Sequence, residues 1–363
     1  MHHTRFLCVS VTACVVLAAG VAVAIAPTPS AERAAQPPRV TAQRLATNPL
    51  VTVRSSPGLG DNVNGPSVIR VPSWIPSPPG RYAMYFAHHM GRHIRVAFAD
   101  RLEGPWRIHE GGVLPVEQTA LDRPQPDPPE TMDDFYTHVA SPDVVVDDQH
   151  QRVILWVHGW WTEGQRWPAD PAAARQWARQ RGYGQFTQVA TSSDALTFRA
   201  HPAITRTSYL RIFEWERFWY AMSRLGVLSR SRDPLAAFDL GPNPFRDSPY
   251  ANRVRHVALL RRGDTMFVFF SAIGDTPERI LVSRISLSGD WTTWLASAPV
   301  EVLAPATPYE CSTLPLTASE TGDVKVPVRQ LRDPAIFEDG GRIVLFYSIC
   351  GEQGIAAAEI TVE

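Results

Sequence analysis

The sequence predicts an all-β fold, a five-bladed β-propeller whose ring is closed by an N-terminal strand. Short β patterns bounded by Gly, Pro and Asp fill the chain beyond about residue 46. One phrase recurs five times: a short apolar strand, a turn rich in Asp, Gly and Arg, then an aromatic-rich strand. A strand of small residues follows each copy, and four of the five run on into an aromatic that opens a further strand. Five copies of a four-strand unit make five blades.

The copies run in order along the chain. The first is "GPSVIRVPSW…GRYAMYFAHH" (65–89), followed by "IRVAFADRLEGPW". The second is "SPDVVVDDQHQRVILWVHGWW" (141–161) with "TQVATSSDALTF", and the third "YLRIFEWERFWYAMSR" (209–224) with "GVLSRSRDPLAAF". The fourth is "RHVALLRRGDTMFVFFSA" (255–272) with "ILVSRISLSGDWTTW". The fifth, "RDPAIFEDGGRIVLFYSI" (332–349) with "GIAAAEITV", lacks its outermost strand. "NPLVTVR" (48–54) is positioned to supply it, and such closure removes exposed sheet edges. A β-sandwich with long insertions would explain the strands but not their repeated order.

Two insertions interrupt the repeat and would decorate a rim. Residues 111–136 form a Pro/Asp-rich loop. Residues 162–185 carry helix signals, with Asp170 as N-cap, Pro171 in the first turn and Gly182 as the stop. Upstream, a basic start and an apolar run of about 20 residues read as an export segment over 1–26, either cleaved at one of the A-x-A sites ending at Ala24 and Ala26, with Pro27 disfavouring a cut directly after Ala26, or retained as a membrane anchor. A Pro/Ala-rich linker covers 27–46 and the propeller 47–363. The expected location is therefore secreted or periplasmic, with membrane contact only through an uncleaved N-terminus.

With 35 basic and 36 acidic residues, the chain has no charge footprint for nucleic acid. No CxxC, HExxH, Walker loop or GxGxxG appears, so zinc-protease and nucleotide readings lack support. Cys311 and Cys350 are the two cysteines of the exported part. They are either a disulfide or two separate buried thiols.

In a propeller the innermost strands all begin at one mouth of the central channel. The residues opening the five phrases therefore converge: Asp61, Asn64 and Ser67; His138, Ser141 and Asp143; Tyr209 and Arg211; Arg255 and His256; Arg332 and Asp333. This set is polar and chemically mixed. Asp143 stands out, because a carboxylate heading the apolar run "DVVV" is costly unless paired or used.

"SPDVVVDD", "VATSSDALTF" and "RDPAIFEDGGRIVLFYS" resemble the blade motifs of five-bladed propeller glycosidases, glycoside hydrolase family 43 with its relatives in families 32, 62, 68, 117 and 130. The resemblance covers about residues 48 to 363. It implies hydrolysis of a glycan of arabinan, xylan, fructan or galactan type by three acids: a base, an orienting and tuning Asp, and a Glu acid. Asp143, directly after Pro142, matches the tuning Asp. Two carboxylates about 6.5–9.5 Å apart would admit water for inversion. A third nearby carboxylate would hold the acid protonated.

The sequence departs from that pattern at both other acids. Gly65 stands where the base Asp is expected, leaving Asp61 and Asn64 nearby, and Arg255-His256 stands where the Glu is expected. Glu310 and Glu278 are the candidate acids, and Asp333 matches an Asp-Pro motif shared across these families but in blade five. Asn64, His88, His138, His256, Tyr209, Arg211, Arg255, Arg332 and Trp160 would bind substrate, with Trp160, Trp161 and Trp167 stacking on sugar faces.

Each of these has a plain alternative. Asp143 could cap a strand, Asp61 and Asp333 could only shape turns, and Glu310 could be ordinary surface. Glu278 could simply pair with Arg279 or Arg284, and Trp156 could belong to the core. Of His88 and His89, strand alternation lets one face the cavity. The functional alternatives are a non-catalytic sugar-binding propeller and a phosphorolytic relative with arginines on phosphate. The resemblance requires no cofactor, and the channel mouth would admit a central structural cation such as calcium.

Overall fold

The computed structural model describes residues 1, 37–122 and 136–363. Almost all of the export segment, the first part of the linker and the middle of the first insertion lie outside the described residues. The chain begins with β1 (Val40–Arg44) and β2 (Val51–Thr52), then builds five antiparallel sheets. Blade one is β3 (Asn64–Arg70), β4 (Tyr82–Ala87), β5 (His93–Ala99) and β6 (Arg107–Pro115). Blade two is β7 (Ala140–Asp147), β8 (Arg152–Trp161), β9 (Gly184–Ser192) and β10 (Arg199–Thr205). Blade three is β11 (Arg211–Trp215), β12 (Phe218–Met222), β13 (Leu228–Ser231) and β14 (Asp239–Leu240). Blade four is β15 (Val254–Arg262), β16 (Thr265–Ala272), β17 (Ile280–Ser286) and β18 (Val300–Leu303). Blade five is β19 (Arg332–Asp339), β20 (Arg342–Ile349) and β21 (Gly354–Val362), completed by β1.

Ring closure by an N-terminal strand is observed, but the strand differs from the expected one. β1 pairs along β21 from Val40↔Val362 to Arg44↔Ala358, whereas Val51 and Thr52 pair only with Ile355 and Gly354. The closing strand thus lies in the stretch read as linker. Pro/Ala composition upstream concealed it, because an edge strand with five residues shows too little alternation to stand out. Likewise, residues 111–115 of the first insertion prolong β6 rather than forming a loop.

The apolar residues of adjacent blades pack face to face. Tyr85, Val96 and Leu155 belong to the core between blades one and two, and Phe86 and Phe346 to that between blades five and one. Phe269 and Leu345 fill the interface of blades four and five, and Met222 and Phe270 that of three and four. Trp156, with Ile154, Val189 and Ala221, lies between blades two and three, in the core as its alternative reading held. The second insertion forms α1 (Pro171–Arg181), with Asp170 accepting a hydrogen bond from the Ala173 amide and Gly182 ending it at φ 66°. Ala174 and Ala178, one turn apart, pack it on buried Trp167. Trp167 is therefore core of the insertion, not an exposed stacking platform.

Glu310 is also structural. It accepts hydrogen bonds from Arg44 Nε (2.7 Å) and Nη2 (3.0 Å), from the Tyr347 hydroxyl (2.9 Å) and from the amides of Ala306 and Thr307. Burial works to raise its pKa, but the Arg44 bonds and these donors hold it below the ordinary carboxylate value. With every acceptor site occupied and its partner on the closing strand, it is not placed as a glycosidic acid. Arg44→Leu would strand this buried carboxylate and unfasten β1. We expect a loss of about 2 kcal/mol in denaturant melts, since Arg44 is itself partly exposed.

Candidate active site at the channel mouth

Inner strands enter the channel through a repeated bulge. Pairing of the first and second strands slips between Asn64 and Ser67, Ala140 and Asp143, Val254 and Val257, and Arg332 and Ala335. The first bulged residue has positive φ at Gly65 (61°), Ser141 (44°) and Asp333 (49°), each followed by proline. Left-handed backbone at Ser141 and Asp333 costs on the order of 1–3 kcal/mol each and persists only where the surroundings fix it. Two levels result. Asp333 shares the bulge position with Gly65, Ser141 and Arg255, whereas Asp143 follows the bulge with Ser67, Val257 and Ala335.

That difference decides what Asp143 does. Its Oδ1 accepts from Arg211 Nη1 (3.1 Å) and Ser67 Oγ (3.4 Å), and its Oδ2 accepts from the Ile212 amide (2.8 Å). Arg211 also donates to the carbonyls of Pro66 (2.9 Å), Pro142 (2.7 Å) and Val257 (3.1 Å). One guanidinium thus ties β11 to β3, β7 and β15 across the channel. Burial pushes the Asp143 pKa up despite Arg211. Both residues line a cavity of about 160 Å³ formed by all five inner strands, separate from the residues at the mouth.

The mouth is lined by His89, Gln185, Tyr209, Arg224, His256 and Glu352, around a cavity of about 40 Å³. Inner-strand openings supply Tyr209 and His256. The hairpin tips between second and third strands supply His89, Arg224 and Glu352. Glu352 Oε2 accepts from Asn62 Nδ2 (2.7 Å) and Asn64 Nδ2 (3.1 Å) and lies 3.5 Å from His89 Nδ1, while Oε1 accepts from Arg332 Nη1 (3.0 Å). Burial would raise the Glu352 pKa, but His89 and Arg332 drive it down. For His89, burial opposes protonation, and Glu352 reverses this and raises its pKa.

Asp333 is buried against His256 Nδ1 and accepts from Ser348 Oγ (2.8 Å). Burial works to raise its pKa, and His256 with these donors drives it well down. Burial lowers the His256 pKa, Arg255 adding to this and Asp333 opposing it, and the ring lies with Nδ1 against the Asp333 carboxylate. Nε2 of His256 has no hydrogen-bond partner among the described residues. Tyr209 packs, tilted, between His158 (3.9 Å) and His256 (4.3 Å), and His138 packs on His158 (5.7 Å) and Tyr136 (4.5 Å). Burial pushes the Tyr209 hydroxyl up to about 12. Gly159 makes this close packing possible, because a Cβ there would stand 2.2 Å from the His138 carbonyl oxygen.

Beneath the mouth, Glu278 is clamped between Arg255 Nε (2.8 Å) and Arg332 Nε (3.1 Å). It is a counter-ion for two arginines, while Arg279 pairs instead with Asp275 and Glu301. Arg255 also donates to the Glu320 carbonyl, and Arg332 to Gln330 Oε1 (2.7 Å). Asp61 is 78% exposed and pairs with His88 Nε2 (3.0 Å) on the rim. His89, not His88, therefore faces the pocket, as alternation along β4 into its tip allows only one to do. Trp160 borders an adjoining chamber. Among the described residues no group of three or more His, Cys, Asp or Glu side chains is arranged to hold a metal ion.

The structure thus brings together Asn64, His138, Tyr209, Arg255, His256, Arg332 and Asp333, with Glu278 below them. It leaves Asp143 and Arg211 lower in the channel, Asp61 and His88 on the rim, and Glu310 behind blade five. Glu352, His158, Asn62, Gln185 and Arg224 were missed. The second–third hairpin tips share the mouth with the inner-strand openings, so "CGEQG" at the tip of the last blade was the available signal.

The buried histidines set a pH dependence. His158 and His256 have lowered pKa values, as do His88, His93 and His201, each chiefly through burial. Below their ordinary value of about 6.5 the unfolded chain binds more protons than the native one, so stability falls as pH drops. His89, with its raised pKa, contributes the opposite slope, losing its share as pH rises. Asp333, Glu352 and Glu310, all depressed, add a further loss as pH falls below about 4. Urea melts at pH 5 and 7 are expected to show lower stability at pH 5. Equal or greater stability at pH 5 would contradict the neutral-histidine assignment.

No protein-family model matches the chain. The uncharacterized protein R118 of Acanthamoeba polyphaga mimivirus is 32% identical over 339 residues, 87% of this chain and 89% of the viral one. The chain belongs to the same family as this viral protein. Among solved structures, this member of the viral protein's family is similar to the α-L-arabinofuranosidase from Lactobacillus brevis (TM-score 0.51, 12% identity, 86% of this chain and 92% of that one). It is also similar to a thermostable family-43 glycoside hydrolase (TM-score 0.51, 12% identity, 83% and 89%). At these identities the likeness is one of fold: this chain has the five-bladed propeller seen in family-43 glycoside hydrolases.

Proposed function

We propose that the protein is an exported carbohydrate-active enzyme that hydrolyses a glycosidic bond at the channel mouth. The observation that carries this reading is the pair of histidines whose surroundings push their pKa values apart within one pocket. His256, its pKa lowered by burial and its ring held against Asp333, is assigned as the base through Nε2, whereas His89, its pKa raised by Glu352 against burial, is assigned as the acid. In the reaction, His256 Nε2 takes a proton from water as its oxygen bonds the anomeric carbon. The bond from that carbon to the leaving oxygen breaks, and His89 donates its proton to that oxygen. Asp333 and Glu352 act as positioning residues through the two rings. The likeness of fold to glycosidases and the Tyr209 ring on the wall of the mouth, apt for a sugar C–H face, support this reading.

Non-catalytic sugar binding is the second reading, favoured by carboxylates that are already fully engaged by Arg332, Asn62, Asn64 and Ser348. Incubation with arabinan, xylan, fructan and galactan fragments separates the two, with new reducing ends and saturable binding measured together. Turnover supports hydrolysis; saturable binding to a fragment without turnover overturns it. Asp143→Asn is expected to leave kcat/KM unchanged while lowering stability by about 1–3 kcal/mol, because it weakens the Arg211 tie without touching the mouth. A large loss of kcat/KM in the folded variant would restore Asp143 to the tuning role.

A further inference from the structure

The helical insertion builds a second chamber beside the mouth, of about 430 Å³. Trp160 and Tyr183 form walls, Arg175 and Arg179 project from α1, and Gln185 and Arg224 line both this chamber and the mouth. Its lining contains three arginines and no acidic residue. Arg179 in the last turn of α1 has an ordinary explanation as a helix-end cation. Arg224 does not. It sits half-buried in a tight turn whose Arg224 amide donates to the Ser208 carbonyl (3.1 Å), and no carboxylate among the described residues pairs with its guanidinium. Elsewhere around the channel, buried Arg211, Arg255 and Arg332 each have one.

We propose that this chamber binds the carboxylate of a uronate, an acidic sugar unit adjacent to the unit held at the mouth. The proposal rests on the carbohydrate reading above and adds a substrate class to it. A guanidinium fork matches a carboxylate in two parallel hydrogen bonds, which a lysine could not reproduce. The rings of Trp160 and Tyr183 suit the apolar face of a pyranose, and Gln185 offers a donor and an acceptor to its hydroxyls. The arginines come from side chains spaced around the chamber rather than from a nest of backbone amides, the usual cradle for phosphate. Because Arg224 spans both spaces, a bound carboxylate there would set the register of the neighbouring linkage against His256.

The test is calorimetric titration of the full chain with trigalacturonate, its carboxyl-reduced trimer and a sulfated trimer. Wild type, Arg224→Gln and Arg224→Lys are compared, with thermal melts confirming that each is folded. Wild type is expected to bind the acidic trimer about tenfold or more tightly than the reduced one. Arg224→Gln should erase that ratio, and Arg224→Lys should restore only part of it. Equal affinities in wild type, an unchanged ratio in Arg224→Gln, or tighter binding of the sulfated trimer would each overturn the assignment. Hydrolysis is read in the same samples. An Arg224-dependent acid preference without turnover keeps the chamber and removes the hydrolytic reading, whereas turnover without acid preference does the reverse.

Discussion

Arg211→Met is expected to cost about 3–5 kcal/mol of folding stability, the cost of leaving a buried ion without its partner. The loss has two parts. Asp143 would keep only the Ile212 amide and Ser67 as donors in a site where its charge is already disfavoured by burial. The carbonyls of Pro66, Pro142 and Val257 would also lose their shared donor, and with it the tie between blades one, two, three and four. The check is a double-mutant cycle in urea melts with Asp143→Leu, in which the double variant should recover much of the loss. If Arg211→Met melts like wild type, the guanidinium is not the channel's tie.

The second expected result concerns turnover. His256→Ala should lower kcat on the hydrolysed fragment by about 10²–10⁴-fold, the range for loss of a positioned general base. His256→Asn supplies a control of similar size that can still bond Asp333 but cannot accept a proton in the same way. It should fail equally if His256 is the base, and recover activity if the ring only fills space. The pH profile distinguishes the roles further, because the acidic limb of kcat/KM in wild type should report the lowered pKa of His256 and vanish in the variant's residual rate. Full activity in His256→Ala would remove this residue from the mechanism.

The repeated phrase made the ring legible, because each blade needs the same alternation of strand, turn and aromatic strand to bury its two faces against its neighbours. The helix in the second insertion was legible too, since Asp170, the following proline and Gly182 each act locally. What escaped depends on depth and on distant partners. Asp143 and Asp333 look alike as acids beside a proline, yet one follows the bulge and the other sits in it, a displacement that no local pattern encodes. Glu310 looked like a free acid in a Pro-rich loop, and its meaning lies in Arg44, far away in sequence on the closing strand. Glu352 sits in a tip of ordinary composition and becomes part of the site only because Asn62, His89 and Arg332 reach it across the ring.

Cys311 and Cys350 are joined, and the bond lies two residues before Glu352 in the same tip. Its other end follows Glu310, whose carboxylate grips the closing strand through Arg44. A single covalent link therefore connects the loop that shapes the channel mouth to the clasp that fastens the ring. Reducing that bond is expected to loosen both together.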